Sequence, residues 1–217
     1  ENSMDYHGRF IFIVLAFVGM LFCTRAQKPD EHSQRGLVLK QLIIEFEIDA
    51  SGRNLEAGVS PTKLPANITV SGFRRGTPSS ERKTVNHLVI FDTADEFTTD
   101  PDLQSEVEGH VLIINSAGST ANDNRNGGTI FFKFENPVKQ VNGIRFLDLD
   151  DFRKPQTRII GSGRNGRRIA RVKRGDNEID LENWMDIRRL RLDMYGSGAV
   201  ASIDLGVCVE QGKDHSA

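Results

Sequence analysis

The sequence predicts an all-β domain: an antiparallel two-sheet sandwich, jelly-roll-like, of about 8–11 strands. Three observations carry this. Short runs rich in Val, Ile, Leu and Phe recur from residue 37 to residue 209. Turn-forming residues break them at Ser51-Gly52, Gly127-Gly128, Asn136-Pro137, Asn165-Gly166 and Gly175-Asp176-Asn177. Several runs also alternate. In Ile187–Met194, Leu190, Leu192 and Met194 share one face, while Arg189, Arg191 and Asp193 share the other. One face is then core and one is wet, as in antiparallel sheets.

Taken in order, the predicted strands are Leu37–Glu47, Asn67–Gly72, His87–Asp92, Val111–Asn115, Gly128–Glu135, Val141–Asp150, Arg158–Gly161, Arg167–Lys173, Glu178–Leu181, Ile187–Met194 and Ala201–Val209. The first and last are long and apolar, so both belong to the body of the fold. Thr129–Phe134 is apolar on both faces apart from Lys133, which predicts a central strand. Asn165-Gly166 between two β-type runs predicts a type I′ hairpin. Ser105–His110 and Asn183–Asp186 are weak helix candidates. There is no heptad, repeat or linker, and residues 37–210 form one predicted domain of ordinary size.

The N-terminus has a different character. Phe10–Cys23 reads FIFIVLAFVGMLFC, preceded by Met4, His7 and Arg9 and followed by Thr24-Arg25-Ala26. This is the layout of a secretory signal peptide over residues 1–26, with cleavage after Ala26. The apolar run is shorter than the ~20 residues of a membrane span. The expectation is a secreted, extracellular protein without a membrane span in the mature chain. Residues 27–36 form a polar lead-in and 211–217 a polar tail. Cleavage would remove Cys23 and leave Cys208 as a buried free thiol in a strand, with an intermolecular bridge as the alternative. Asn67-Ile68-Thr69 is an N-glycosylation sequon.

The net charge of −2 argues against a nucleic-acid partner. The charges nevertheless segregate. Asp92, Asp95, Glu96, Asp100, Asp102, Glu106 and Glu108 form a stretch without Lys or Arg. Alternation over Ile144–Asp150 turns Asp148 and Asp150 inward, on the side of Ile144 and Phe146, where a lone carboxylate is costly. A structural Ca²⁺ ion held by Asp148, Asp150, Asp92 and Asp102 would offset that cost, because calcium takes oxygen ligands from carboxylates and loops. Loop amides or an Arg would serve as well. The stretch Asn122–Gly127 lacks the last acid of an EF-hand and reads as a turn.

The segment 152–175 is basic: Arg153, Lys154, Arg158, Arg164, Arg167, Arg168, Arg171, Lys173 and Arg174, with no acid before Asp176. Alternation predicts that Arg167, Arg171, Lys173, Arg189 and Arg191 share one wet face. Such a face suits an anionic polysaccharide, since guanidinium groups fork onto sulfate and carboxylate. A plainly solvated face is the alternative. Phe152 is the segment's only aromatic residue, which is thin for nucleic acid. Catalytic motifs are lacking: there is no HExxH, G-x-S-x-G or P-loop. His87 reads as a polar strand-end residue and the single Trp184 as core. Paired carboxylates keep a second reading open, a small secreted hydrolase or lyase acting on polysaccharide.

Several segments recur in a telling order: Phe91-Asp92-Thr93, Asp100-Pro101-Asp102-Leu103, Gly109–Ile114, Gly127-Gly128-Thr129-Ile130, Pro137-Val138, Leu147-Asp148-Leu149-Asp150, Gly175-Asp176-Asn177 and Gly196–Val200. This order resembles a module of secreted and surface proteins in marine bacteria and microalgae, and covers most of residues 40–205. The resemblance implies a jelly-roll-like sandwich used at cell surfaces or in extracellular matrix. This chain departs from it in the basic segment 152–175.

Overall fold

Alternating side chains and bends inside long strands build this molecule. The computed structural model describes residues 37–95, 100–116, 121–149, 156–173 and 175–210. The expected signal segment, lead-in and tail lie outside these, as do Glu96, Asp150, Asp151, Phe152, Arg153, Lys154 and Arg174. The strands are β1 (Leu37–Ile44), β2 (Lys63–Leu64), β3 (Ile68–Arg74), β4 (Leu88–Asp92), β5 (His110–Ile114), β6 (Gly128–Leu147), β7 (Arg158–Gly163), β8 (Gly166–Arg171), β9 (Glu178–Met194) and β10 (Ala199–Glu210). All pairings are antiparallel, so the fold is the expected all-β one. Two short 3-10 turns, Pro65–Asn67 and Pro101–Leu103, are the helical pieces among the described residues. None is a helix long and apolar enough to cross a membrane.

The ten strands form one hydrogen-bonded sheet folded into two layers. Layer A runs β2, β3, the first half of β6, the second half of β9, β7, β8. Layer B contains the first half of β9, the second half of β6, and β10, with β1 and the β5–β4 pair beside β10. Strands β6 and β9 serve both layers, and they turn the corner where their register slips between Lys133 and Val138. Strands that change layers do so through such bulges. Here the sequence reading needs correction. Asn136-Pro137 is not a turn between two strands but the bend within β6, where proline's missing N–H costs no ladder bond. Asn183–Asp186 is likewise strand, with Asp186 at φ 54 beside the β9 bend. Ser105–His110 holds no helix.

Two further boundaries differ. The first strand stops at Ile44 because Phe46 adopts φ 60, which drops its ring into the core. The β7–β8 hairpin forms, but Gly163 pairs with Gly166 and the loop is Arg164-Asn165. Neither loop residue has positive φ, whereas Gly166 has φ 94. The left-handed glycine follows the turn, so the hairpin is not type I′.

Between the layers lies one apolar core. Ile68, Val70, Ile130, Phe132, Leu190, Leu192 and Ile159 from layer A meet Leu88, Ile90, Leu112, Phe146, Ile203 and Leu205 from layer B. Trp184 is 7% exposed and packs on Gly161, where an added Cβ would lie 2.7 Å from the indole. It is core, as expected. A second cluster lies on the outside of layer B: Phe91, Val111, Ile113, Ala199 and Ala201, roofed by Leu103 of the second 3-10 turn. Cys208, in register with Leu39, is half-buried and is disulfide-bonded in the full chain, whereas the free thiol was expected only after cleavage at Ala26.

Candidate functional site

The outer face of layer A is a lattice of arginines. Cross-strand register sets its rows. One reads Thr69, Lys133, Arg189, Ser162, Arg167; the next Ser71, Phe131, Arg191, Ile160, Ile169; the third Phe73, Thr129, Asp193, Arg158, Arg171. Four of the five expected basic residues, Arg167, Arg171, Arg189 and Arg191, therefore belong to one face. Strands are ~4.8 Å apart, so Arg189 and Arg167 in one row stand ~10 Å apart. Lys173 lies beyond the end of β8, exposed, in a turn closed by its backbone N–H to Asp176 Oδ2 at 3.0 Å.

One buried acid organises this face. Asp193 is 3% exposed. Arg191 Nε donates to its Oδ1 at 2.7 Å, the Thr129 hydroxyl donates to the same oxygen at 3.0 Å, and Arg158 Nη2 donates to Oδ2 at 3.1 Å. A carboxylate this buried needs such partners. It offsets part of the repulsion between two guanidinium groups and fixes their direction. Arg158 Nη2 also donates to the Tyr195 hydroxyl at 2.8 Å.

At the end of the face, where β3 and β9 finish and β6 begins, lies a cavity of about 170 Å³. Arg74, Arg75, Arg82, Arg191, Phe73 and Tyr195 line it. Arg75 is stacked 4.0 Å from the centroid of Tyr195, with Nε donating to Asn126 O at 2.8 Å and Nη2 to Met194 O at 2.6 Å. Arg82 lies 4.8 Å over Phe73 and donates from Nε to Thr77 O at 2.9 Å. Ring faces attract these cations and hold them in place. Close strand approach here depends on Gly128, whose Cβ would stand 2.2 Å from Phe73 O. Beside the cavity, Arg74 Nη2 lies 2.9 Å from His87 Nε2. Burial, then the Arg74 charge, push the His87 pKa below its ordinary value. His87 is thus the polar residue just before β4 that the sequence suggested.

The outer face of layer B has the opposite sign. A shallow cavity of about 750 Å³ lies over Gly143 and is lined by Glu45, Glu178, Asp180, Asp204 and Arg145. Gln41 Nε2 and Asn142 Nδ2 donate to the two oxygens of Asp204 at 2.7 and 2.9 Å. Arg145 pairs with Glu108 at 2.8 Å.

Of the residues expected to hold calcium, the three described ones belong to different segments of the chain. Asp92 closes β4 and accepts the Ala94 N–H at 2.9 Å. Asp102 lies in the second 3-10 turn beside Asp100. Because β6 stops at Leu147 and Asp148 takes φ 47, the strand alternation does not extend to Asp148. Asp150 lies outside the described residues. Among the described residues no group of three or more His, Cys, Asp or Glu is placed to hold a metal ion. The acids that do converge are Asp100, Asp102 and Asp123. The Asp123 N–H donates to Asp100 Oδ2 at 2.9 Å, and Asp123 accepts the Gly198 N–H. Burial, then the hydrogen bond with Asp102 and the charge of Asp123, push the Asp100 pKa up to about 7. Asn67 is exposed at the turn before β3.

No family model matches this chain, and no curated protein matches it. The geometry therefore carries the functional reading. Sequence reasoning missed Phe73, Arg75, Arg82, Phe131, Arg158 and Tyr195 as members of this face, and it put Asp193 there without giving it a role. Phe131 and Arg158 were within reach of the alternation argument. Arg75 and Arg82 were not, because they lie outside the strands.

Proposed function

We propose that this chain is a secreted, non-catalytic extracellular binding module, whose layer A outer face holds anionic polysaccharide of a cell surface or matrix. One observation supports this above others: strand register aligns Arg167, Arg171, Arg189 and Arg191 with Lys133 and Arg158 on one face, with Asp193 as the carboxylate in those rows. Guanidinium groups fork onto sulfate and carboxylate oxygens. Phe73, Phe131 and Tyr195 add ring surface among them. The signal-like segment Phe10–Cys23 supports the extracellular setting.

The test is retention of the full chain on a sulfated-polysaccharide column. Arg167 and Arg189 are exposed and share a row, so R167E/R189E reverses two charges while leaving the Asp193 pairs intact. The parent should bind at low salt and elute as ionic strength rises past ~0.15 M, where charges are screened beyond ~8 Å. The double variant should pass through unretained with an unchanged melting temperature. Equal retention of parent and variant would sink the proposal.

A structural calcium belongs to the same reading. It would draw on Asp148, Asp150, Asp92 and Asp102. An ion that binds only the folded state raises stability by about 2.7 kcal/mol at a hundredfold excess over Kd. Superimposable melts in millimolar calcium and in chelator would remove it. The carboxylate-lined cavity over Gly143 favours the second reading, a polysaccharide hydrolase or lyase. Release of reducing ends or unsaturated sugar from an acidic polysaccharide, abolished by E178Q/D180N, would establish that instead.

A further inference from the structure

We propose that the arginine-lined cavity at the end of layer A is a separate subsite that takes one anionic group of a glycan, a sulfate ester or a uronate carboxylate. This rests on the polysaccharide reading of the face but assigns a place and a chemistry that the arginine rows do not. Three features single out the cavity. Four arginines, Arg74, Arg75, Arg82 and Arg191, line about 170 Å³, and Asp193 is the one carboxylate among the residues lining it. An anion there relieves repulsion that the protein itself leaves only partly offset. The arginines are also held in advance. Main-chain oxygens of Asn126, Met194 and Thr77 accept from Arg75 and Arg82, the Tyr195 and Phe73 rings lie beneath them, and Asp193 accepts from Arg191 Nε. Each of these contacts uses part of a guanidinium and leaves further N–H donors on Arg75, Arg82 and Arg191 for a ligand. Side chains fixed before binding lose less freedom when the ligand arrives. Finally, the volume limits the occupant to one charged group and the adjoining part of its ring. A polymer must therefore lay its other charges along the rows of Lys133, Arg189, Arg167 and Arg171.

The subsite and the rows separate experimentally. Calorimetric titration of the full chain with a sulfated disaccharide, and in a parallel arm a uronate disaccharide, measures the cavity. The column with sulfated polymer measures the whole face. In R75A/R82A, disaccharide affinity should fall at least tenfold while the polymer is still partly retained. In R167E/R189E, polymer retention should disappear while disaccharide affinity changes by less than threefold. Whichever disaccharide binds more tightly names the group, sulfate or carboxylate. Arg75 also ties down the Met194 carbonyl, so R82A alone is the control for misfolding, with an expected loss of three- to fivefold. If neither disaccharide binds the parent, or both bind R75A/R82A as they bind the parent, the subsite does not exist. If the parent binds the disaccharide yet passes through the polymer column, the cavity stands and the polysaccharide reading of the face falls.

Discussion

The outer faces of the two layers are made by the same strands and carry opposite charge. Strands β6 and β9 supply Lys133, Arg189 and Arg191 to layer A, then Glu178 and Asp180 to the trough on layer B. Strand alternation is identical in both halves, so the difference lies only in which residues were placed at outward positions. The internal arrangement differs too. Layer A's charges are tied to a buried acid and to aromatic rings, and they gather at one end. Layer B's carboxylates surround a glycine floor, with Asp204 held by neutral amides. Farther along layer B, an apolar roof seated by Leu103 covers the sheet. A face built on fixed arginines suits an anionic ligand that arrives from outside. A face partly covered by its own chain uses that cover for stability.

The largest test removes the anchor of the cationic face. D193A leaves Arg158 and Arg191 facing each other without the shared carboxylate. Loss of one partner from a buried ion pair costs up to 3–5 kcal/mol. Both arginines are part exposed, with side chains 36% and 43% accessible, so we expect about 2–3 kcal/mol. In thermal melts that is a fall of roughly 5–10 °C. A smaller loss would mean that water already screens the pair.

Next comes the roof of layer B. L103A removes a fully buried side chain and should cost about 2–3 kcal/mol. It should also make the roof exchange its amide hydrogens faster, while retention on the polysaccharide column stays as in the parent. Reduced retention would show that the two faces are coupled.

At the start of the 3-10 turn that carries this roof, Asp100 makes stability depend on pH. Its folded-state pKa, pushed up to about 7, lies above the ordinary carboxylate value, so the folded state holds the proton more tightly than the unfolded chain. That contribution is fully present below about pH 4 and is lost as pH rises towards 7. D100N keeps an oxygen for the Asp123 N–H and cannot ionise. It should stabilise the fold near pH 7.5 by on the order of 1–2 kcal/mol, seen as a higher melting temperature, and flatten the profile between pH 4 and 7.5. A variant less stable than the parent at pH 7.5 would overturn this account.

The smallest effect sharpens the contrast of charge. Neutralising the trough with E178Q/D180N should change stability by less than about 0.5 kcal/mol, as exposed substitutions usually do. Polymer should then elute at slightly higher salt, since less of the domain repels it. A weaker hold would place the polymer on layer B.

Much of this was legible in the chain. Period-two alternation fixed which residues of Ile187–Met194 face water, because a strand turns successive side chains to opposite sides whatever its neighbours. That put Arg189 and Arg191 together with Asp193, and the same rule grouped Arg167 with Arg171. Turn residues located most of the strands for an equally local reason, the backbone angles they tolerate. The sequence alone left other things undecided. Asn136-Pro137 has the same local chemistry in a turn as at a bend. Only the packing of layer A on layer B makes it a corner of β6. Register between strands far apart in sequence set Arg167 beside Ser162 and Arg189. The subsite joins Arg75, Arg82, Arg191 and Tyr195, which are separated by up to 120 positions. Their meeting depends on where β3 and β9 end against the start of β6, and that is decided by the closing of the sheet on its core rather than by any short stretch of chain.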